Sequence, residues 1–260
     1  MKEKIYIMQI ACGAWHTAAT SDLGLAFTWG CNMRGQLGTG DKNDRNLPNI
    51  IPLLRDTMIL QIECGELHTV ALAGPSGIAA AVFSWGAGDQ AQLGHGTKVD
   101  ELEPKCIQTL SGLEVAVIAV GPYHNGCIAN KDFLPKVFTW GSGAYCRLGH
   151  GDNIDCTVPR CLENLDRKGV RMLAMGLYHT VCLADDGQNS TVYTWGRGTE
   201  GQLGHPEKPP EIDRPRPIDA LEGMGVRTIH AGDYHTLVLN SDPFPLPQTP
   251  NSSQETCTIL

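Results

Sequence analysis

The chain has 260 residues, enough for a sizeable core, and its 42% hydrophobic and 18% charged residues are typical of a globular protein with many turns, since it contains 30 Gly and 16 Pro. The formal net charge of −8 would repel a phosphate backbone, which makes nucleic acid a poor candidate for a partner. No apolar run approaches the ~20 residues of a membrane-spanning helix, and the amino terminus lacks the apolar stretch of a signal peptide.

A Trp-Gly dipeptide recurs along the chain at spacings of 56, 55 and 55 residues. A Leu-Gly dipeptide follows each copy at a constant offset, and a proline follows ten or eleven residues later. Self-similarity at such a period is the signature of a repeat architecture. The four copies begin at Trp29, Trp85, Trp140 and Trp195.

A second signature, Gly-x-x-His, occurs five times, so the array ends part-way through a repeat. We place the repeats at approximately 8–59, 60–115, 116–170 and 171–226, with a partial repeat at 227–240. Residues 241–260 are rich in Pro and Ser and are expected to be a flexible tail. The five pairs are Gly13 and His16, Gly65 and His68, Gly121 and His124, Gly176 and His179, and Gly232 and His235.

Each period contains three or four short alternating or β-branched runs separated by turn residues, and no helical periodicity. This pattern predicts one small antiparallel sheet per repeat. Because a single small sheet cannot bury enough surface, the sheets must pack against one another. The sequence therefore predicts an all-β fold, a β-propeller of repeats of about 55 residues. A β-solenoid is the alternative, although its periods are usually shorter.

The repeated residues are interpreted as scaffolding. The four tryptophans are expected to pack between sheets with the indole N–H on a carbonyl. Each histidine is expected to hold its own turn, because equivalent residues of different sheets cannot converge within ~2 to 2.2 Å of one metal ion. Trp15, outside the Trp-Gly register, could be an exposed contact residue or a packed ring. A left-handed backbone is expected at Asn32, Gly88, Gly143 and Gly198, with no strict glycine requirement three residues later.

Neither a catalytic arrangement nor a cofactor motif is found. The Gly-rich stretch lacks the Gly-Lys-Ser/Thr ending of a phosphate-binding loop, and no Ser-His-Asp, paired-carboxylate or HExxH pattern occurs. Several of the ten cysteines alternate with Ala or Val at equivalent positions, as reduced, core-packed thiols would. We therefore expect a non-enzyme without metal or cofactor in an intracellular compartment, cytoplasmic or nuclear.

The ordered set of Gly-x-x-His-Thr, an apolar strand, Phe/Tyr-Thr/Ser-Trp-Gly, Gly-x-x-Gln-Leu-Gly and a closing proline resembles the repeats of the regulator of chromosome condensation (RCC1) family over roughly residues 5 to 240. The resemblance implies a propeller of seven four-stranded blades that serves as a protein-binding platform. In some members it implies a guanine-nucleotide exchange factor for the small GTPase Ran, and in others a regulatory domain beside a ubiquitin ligase, as in the HERC type.

Two departures limit what this resemblance implies. Only four Trp-Gly cores are present, so the array is incomplete relative to a seven-bladed ring, and open sheet edges would favour self-association. No repeat carries a long insertion comparable to the β-wedge of the exchange factors, which weakens the exchange hypothesis.

The favoured hypothesis is a protein-binding scaffold, with exchange on a Ran-like GTPase or a HERC-type regulatory propeller as alternatives. Its partner-binding surface should be built from the loops that vary between copies, and these are acidic on balance. They predict a basic protein partner and salt-sensitive association. The candidate residues are Asp41, Asp44, Asp100, Glu101, Glu103, Asp152, Asp155, Glu207, Glu211 and Asp213.

Overall fold

The computed structural model describes residues 4–74, 81–131, 134–187, 189–240 and 257–259. Within these residues every regular element is a β-strand or a short 3-10 turn, and the strands form five antiparallel sheets in succession along the chain. The predicted all-β array with one sheet per repeat is confirmed.

The first four sheets have four strands each, which are hydrogen-bonded in chain order. Sheet 1 contains β1 (Ile7–Cys12), β2 (His16–Ser21), β3 (Ala26–Gly30) and β4 (Arg45–Ile50). Sheet 2 contains β5 (Ile59–Cys64), β6 (His68–Ala73), β7 (Ala81–Gly86) and β8 (Glu101–Cys106). Sheet 3 contains β9 (Glu114–Val120), β10 (His124–Lys131), β11 (Leu134–Gly141) and β12 (Cys156–Cys161). Sheet 4 contains β13 (Val170–Met175), β14 (His179–Asp185), β15 (Ser190–Arg197) and β16 (Glu211–Pro217).

Sheet 5 contains β17 (Val226–Ala231), β18 (Thr236–Asn240) and β19 (Cys257–Ile259), which pairs with β18. The expectation of a flexible tail over 241–260 therefore needs a correction at residues 257–259, where backbone pairing to β18 supplies a third strand. The other residues of that tail lie outside the described part of the chain.

The sheets pack face to face, and each sheet contacts the next through its first two or three strands. In sheet 2, β6 is buried along its whole length because neighbouring sheets cover both of its faces. The core between sheets 1 and 2 joins Ile51 and Leu54, from the segment after β4, to Ile62 and Trp85. Burying a side chain of this size contributes roughly 1.5–3 kcal/mol. The stability of each sheet therefore depends on its neighbours.

A polar clamp also joins each sheet to the next. Thr69 Oγ1 of sheet 2 donates its single proton to Gln36 O of sheet 1 (2.8 Å), so it accepts the hydrogen bond from His16 Nε2 (2.9 Å). Trp85 Nε1 donates to the same carbonyl (2.9 Å). The His16 imidazole is thus the Nε2–H tautomer, and its buried Nδ1 has no partner among the described residues. Burial lowers the pKa of His16 to about 4.

The clamp repeats at the three later interfaces with small changes. Asn125 replaces the threonine at the second interface, and at the fourth interface Gln202 O accepts the threonine bond without an indole bond from any described residue. The His-to-acceptor distances are 2.8 Å for His68 and Asn125, 2.8 Å for His124 and Thr180, and 3.1 Å for His179 and Thr236. The indole bonds run from Trp140 to Gln92 O (3.1 Å) and from Trp195 to Arg147 O (2.9 Å).

The expected left-handed position was wrong by three residues. Gly143 has φ −86°, and a Cβ there would lie 2.2 Å from Ile154 O, so this glycine is required by close backbone approach. The left-handed residue comes three positions later, at Cys146 (φ 56°) and its equivalent Ala91 (φ 62°). Sequence comparison misassigned the two positions because alanine and cysteine occupy the left-handed one.

Candidate protein-binding surface

One end of each complete sheet, which we call the loop end, gathers two connections. The short turn between the first two strands lies there, and so does the long loop between the third and fourth strands. A backbone bond ties the loop to the turn, from Cys31 N–H to Trp15 O in sheet 1 (2.9 Å) and from Ala87 N–H to Leu67 O in sheet 2 (2.8 Å). Successive first strands contact one another, so the turns form an inner row and the loops an outer row.

Three of the acidic residues predicted to bind a partner hold their own loops. Each aspartate accepts the backbone N–H of the residue twelve positions earlier, near the start of its loop, which fixes the loop against the end of the sheet. The bonds run from Asn32 N–H to Asp44 (2.8 Å), from Gly88 N–H to Asp100 (3.0 Å), and from Gly143 N–H to Asp155 (2.8 Å). In the fourth loop the backbone carbonyl of Pro210 takes this role for Gly198 N–H (2.9 Å).

Most of the other predicted acids are in ion pairs or hydrogen bonds within the chain. The N–H of Asn43 and then Arg45 lower the pKa of Asp41 to about 2. The remaining contacts join Glu101 to Lys105, Asp152 to Arg160 (3.6 Å), Glu207 to Arg216, and Glu211 to Cys146 Sγ (3.0 Å) and Asn153 (3.2 Å). Two of the loop-holding aspartates also accept a salt bridge from the preceding loop, Asp100 from Arg34 (2.7 Å) and Asp155 from Lys98 (2.7 Å). Within the described ranges, Glu103 and Asp213 have no side-chain ion pair.

The inner row of turns is aromatic, a feature that our sequence reasoning missed. The residue before each repeated histidine is aromatic in four of five copies, and this spacing was the signal available in the sequence. Trp15 is 69% exposed, so its ring is not packed in the described structure. The five residues are Trp15, Leu67, Tyr123, Tyr178 and Tyr234.

A buried arginine organises the aromatic row at sheets 3 and 4. Arg147 stands where the other copies have glutamine, and its guanidinium lies 4.9 Å from the ring centre of Tyr178 and 5.9 Å from that of Tyr123. It donates to Leu177 O and Ala144 O, and burial lowers its pKa. The Tyr145 ring meets Tyr178 edge-on at 4.9 Å. These contacts join the rings of Tyr123, Tyr178 and Tyr145 into one cluster.

The expectation that the Gly-x-x-His histidines hold their own turns was wrong, because the imidazoles of the first four bond a side chain of the next sheet. The histidines after Leu-Gly do have a local role, as expected. Thr139 Oγ1 donates to Leu148 O, so it accepts from His150 Nε2 (3.0 Å), and burial lowers the pKa of that histidine to about 4. Across the described residues no group of three or more His, Cys, Asp or Glu side chains could hold a metal ion. Nor does that part of the chain contain a helix long and apolar enough to cross a membrane.

The repeats that build this surface are shared with known proteins. The chain is 35% identical over 235 residues to the E3 ubiquitin-protein ligase HERC2 of Homo sapiens, a match that covers 90% of this chain and 5% of the ligase. It is 33% identical over 237 residues to the ultraviolet-B receptor UVR8 of Arabidopsis thaliana, covering 91% of this chain and 51% of the receptor. The chain thus spans about half the length of UVR8 and a small part of HERC2.

Solved structures agree on the fold. Prp20p from Saccharomyces cerevisiae, described with its binding properties to Gsp1p and histones, superposes with a TM-score of 0.72 at 24% identity, covering 90% of this chain and 56% of Prp20p. The family model of the RCC1-like domain matches residues 1–244. With the repeats, the sheets and these matches in agreement, the chain belongs to the RCC1-like domain family.

Proposed function

We propose that the chain is a protein-binding platform without bond-making chemistry, which engages a basic protein surface through its loop end. The observation that carries the proposal is that the acidic loops of four consecutive sheets and the aromatic turns lie at this same end. Of the described Trp, Tyr and Phe side chains, four are exposed, and Trp15, Tyr145 and Tyr234 of these lie at the loop end. An aromatic centre within a charged periphery is the usual composition of a protein interface.

The test uses a basic protein as probe. Because Prp20p is described as binding histones, we would titrate a fluorescently labelled core-histone dimer and follow anisotropy between ~50 and 300 mM salt. We expect the dissociation constant to rise with salt, since exposed charge pairs are screened. Affinity that does not change with ionic strength would contradict the proposal.

Glu103 and Asp213, two loop-end acids without a side-chain ion pair or hydrogen bond in the described structure, provide a matched variant. Glu103→Gln with Asp213→Asn should weaken histone binding about three- to tenfold, because the variant removes two charges from the binding end. Glu114 begins β9 and Glu222 lies just before β17, and both are exposed, so they lie at the opposite end of the sheets. Glu114→Gln with Glu222→Gln removes the same charge there and should leave binding within about twofold.

Exchange on a Ran-like GTPase is the alternative. Such a factor accelerates nucleotide release by binding the nucleotide-free GTPase more tightly than the loaded form. In the described parts of the loops, no strand insertion resembles a wedge, which favours the scaffold. Release of a fluorescent nucleotide from Gsp1p at catalytic amounts of this chain would decide for exchange. A regulatory role within a HERC-type ligase is a narrower form of the scaffold proposal.

A further inference from the structure

A cleft of about 390 Å³ opens at the loop end between the first three sheets. Its walls come from the loop of sheet 1 (Arg34), the turn and loop of sheet 2 (Glu66, Leu67 and Asp89) and the turn of sheet 3 (Tyr123). We call it the Glu66–Asp89 cleft. It adjoins the acidic loops, although neither carboxylate was among the residues predicted to bind a partner.

The carboxylates that line the cleft outnumber the positive charge that they pair with. Arg34 is held by Asp100 through two hydrogen bonds of 2.7 Å, from Nε and Nη2, which lower the pKa of Asp100. Asp89 is only a second partner of this guanidinium, at 3.3 Å, and its side chain is 54% exposed. Since Asp100 neutralises Arg34, Glu66 and Asp89 leave the cleft with a net negative charge.

The other walls suit the rest of a long cationic side chain. Leu67 is an apolar surface for an aliphatic stem, and the Tyr123 ring already lies 5.9 Å from one guanidinium, that of Arg147. Burial, followed by the hydrogen-bonded Glu66 carboxylate, raises the pKa of Tyr123 to about 12, so the phenol is neutral at pH 7.

A buried glutamine with an amide donor that is free in the described structure also lines this cleft. Gln92 is 2% exposed, and its Oε1 accepts from Gln90 N–H (2.7 Å). In the described structure no acceptor is bonded to its Nε2. A main-chain carbonyl beside an inserted side chain would satisfy this donor.

The acidic pair is not required by the fold. The position of Glu66 is taken by Ala14, Pro122, Leu177 and Asp233 in the other turns. The position of Asp89 is taken by Met33, Ala144 and Thr199 in the other loops. The other sheets therefore form the same turn and loop without the two carboxylates together, and the pair is left for recognition.

We propose that the Glu66–Asp89 cleft binds an arginine side chain of a basic protein partner. A planar guanidinium can bond both carboxylates through its fork of N–H donors and stack its face on the Tyr123 ring, whereas a lysine ammonium has no planar face to stack. The proposal rests on the proposed function for the identity of the partner, whereas the cleft can be tested without one.

The direct test uses the peptide acetyl-Gly-Arg-Gly-amide at millimolar concentration and its citrulline analogue as an uncharged control. In the wild-type chain we expect saturable NMR shifts of the Tyr123 ring and the Gln92 side-chain amide with the arginine peptide only. Glu66→Gln with Asp89→Asn should weaken this binding at least fivefold. Equal shifts with citrulline, no shift at these two residues, or an unchanged affinity of the variant would overturn the proposal.

The histone titration separates this proposal from the proposed function. The cleft variant should weaken histone binding about tenfold, and the Glu114→Gln and Glu222→Gln control less than twofold. If both lower affinity equally, the cleft is not the anchor, although a salt-sensitive platform stands. If the arginine peptide binds at Tyr123 and Gln92 but histones bind without salt dependence, the cleft stands and the basic-partner platform is wrong.

Discussion

The interfaces between sheets and the outward face of sheet 1 present the same residues in two environments. Ile10 lies three residues before its Gly-x-x-His glycine and is 63% exposed. The equivalent residues Ile62, Ile118, Leu173 and Ile229 are at most 9% exposed. Thr17 likewise corresponds to Thr69, which is clamped by a histidine of the preceding sheet. A repeat sequence thus encodes an interface, and a neighbouring sheet completes it.

The largest effect is expected from acid, which acts on the buried histidines at the interfaces between sheets. Burial lowers the pKa of His16, His68 and His179 to about 4, whereas unfolded histidines titrate near 6.5. The contribution of these histidines to the free energy of unfolding is therefore fully present above about pH 6.5. It falls as the pH drops towards 4, because in that range only the unfolded chain takes up protons. Each group contributes about 1.4 kcal/mol per pH unit over that window. Urea unfolding at pH 7, 6 and 5 measures this.

His68→Gln provides the control for the acid effect. It should reduce the slope of unfolding free energy against pH, whatever its effect on stability at pH 7. A slope equal to that of the wild type would mean that His68 does not titrate with folding.

A charge at equivalent isoleucines gives the second comparison. Ile62→Asp places an unpaired carboxylate between sheets and removes a fully buried side chain, so we expect a loss of about 4 kcal/mol or more. Ile10→Asp should cost under about 1 kcal/mol, because its side chain is already in water. Urea denaturation of both variants at pH 7 measures the difference.

The Ile10 variant also examines self-association, which the sequence predicted through open sheet edges. If the apolar outward face of sheet 1 drives association, Ile10→Asp should lower the mass measured by light scattering at high concentration. Similar losses of stability in the Ile62 and Ile10 variants would show that another surface covers Ile10 in solution.

The polar clamp should give the smallest of these effects. Thr69→Val removes the acceptor of His16 Nε2 and one donor to Gln36 O while keeping the side-chain volume, so we expect a loss of about 1–3 kcal/mol. Thr17→Val, at the equivalent position of sheet 1, where no histidine bonds the hydroxyl in the described structure, should change stability by less than about 0.5 kcal/mol. Equal effects in the two variants would indicate that the hydroxyl acts within its own sheet.

The sequence predicted the architecture well because the copies of the repeat can be compared with one another position by position. Four Trp-Gly copies in register and five Gly-x-x-His turns were sufficient for the all-β array. Comparing copies separates residues needed by every sheet from residues that vary. The comparison of copies failed where different residue types adopt the same backbone conformation. Cys146 and Ala91 have a left-handed backbone although neither is glycine.

By itself, the sequence determined the sheet-forming period, the scaffold residues and the acidic loops, because these depend on local pattern and composition. Only the tertiary structure decided which acids remain available to a partner. Asp44 accepts a hydrogen bond from a backbone N–H of its own loop, whereas Glu103 has no ion pair within the described chain. The Glu66–Asp89 cleft likewise arises only when the turns and loops of three sheets meet. Residues distant in sequence become one site through packing, which no single repeat encodes.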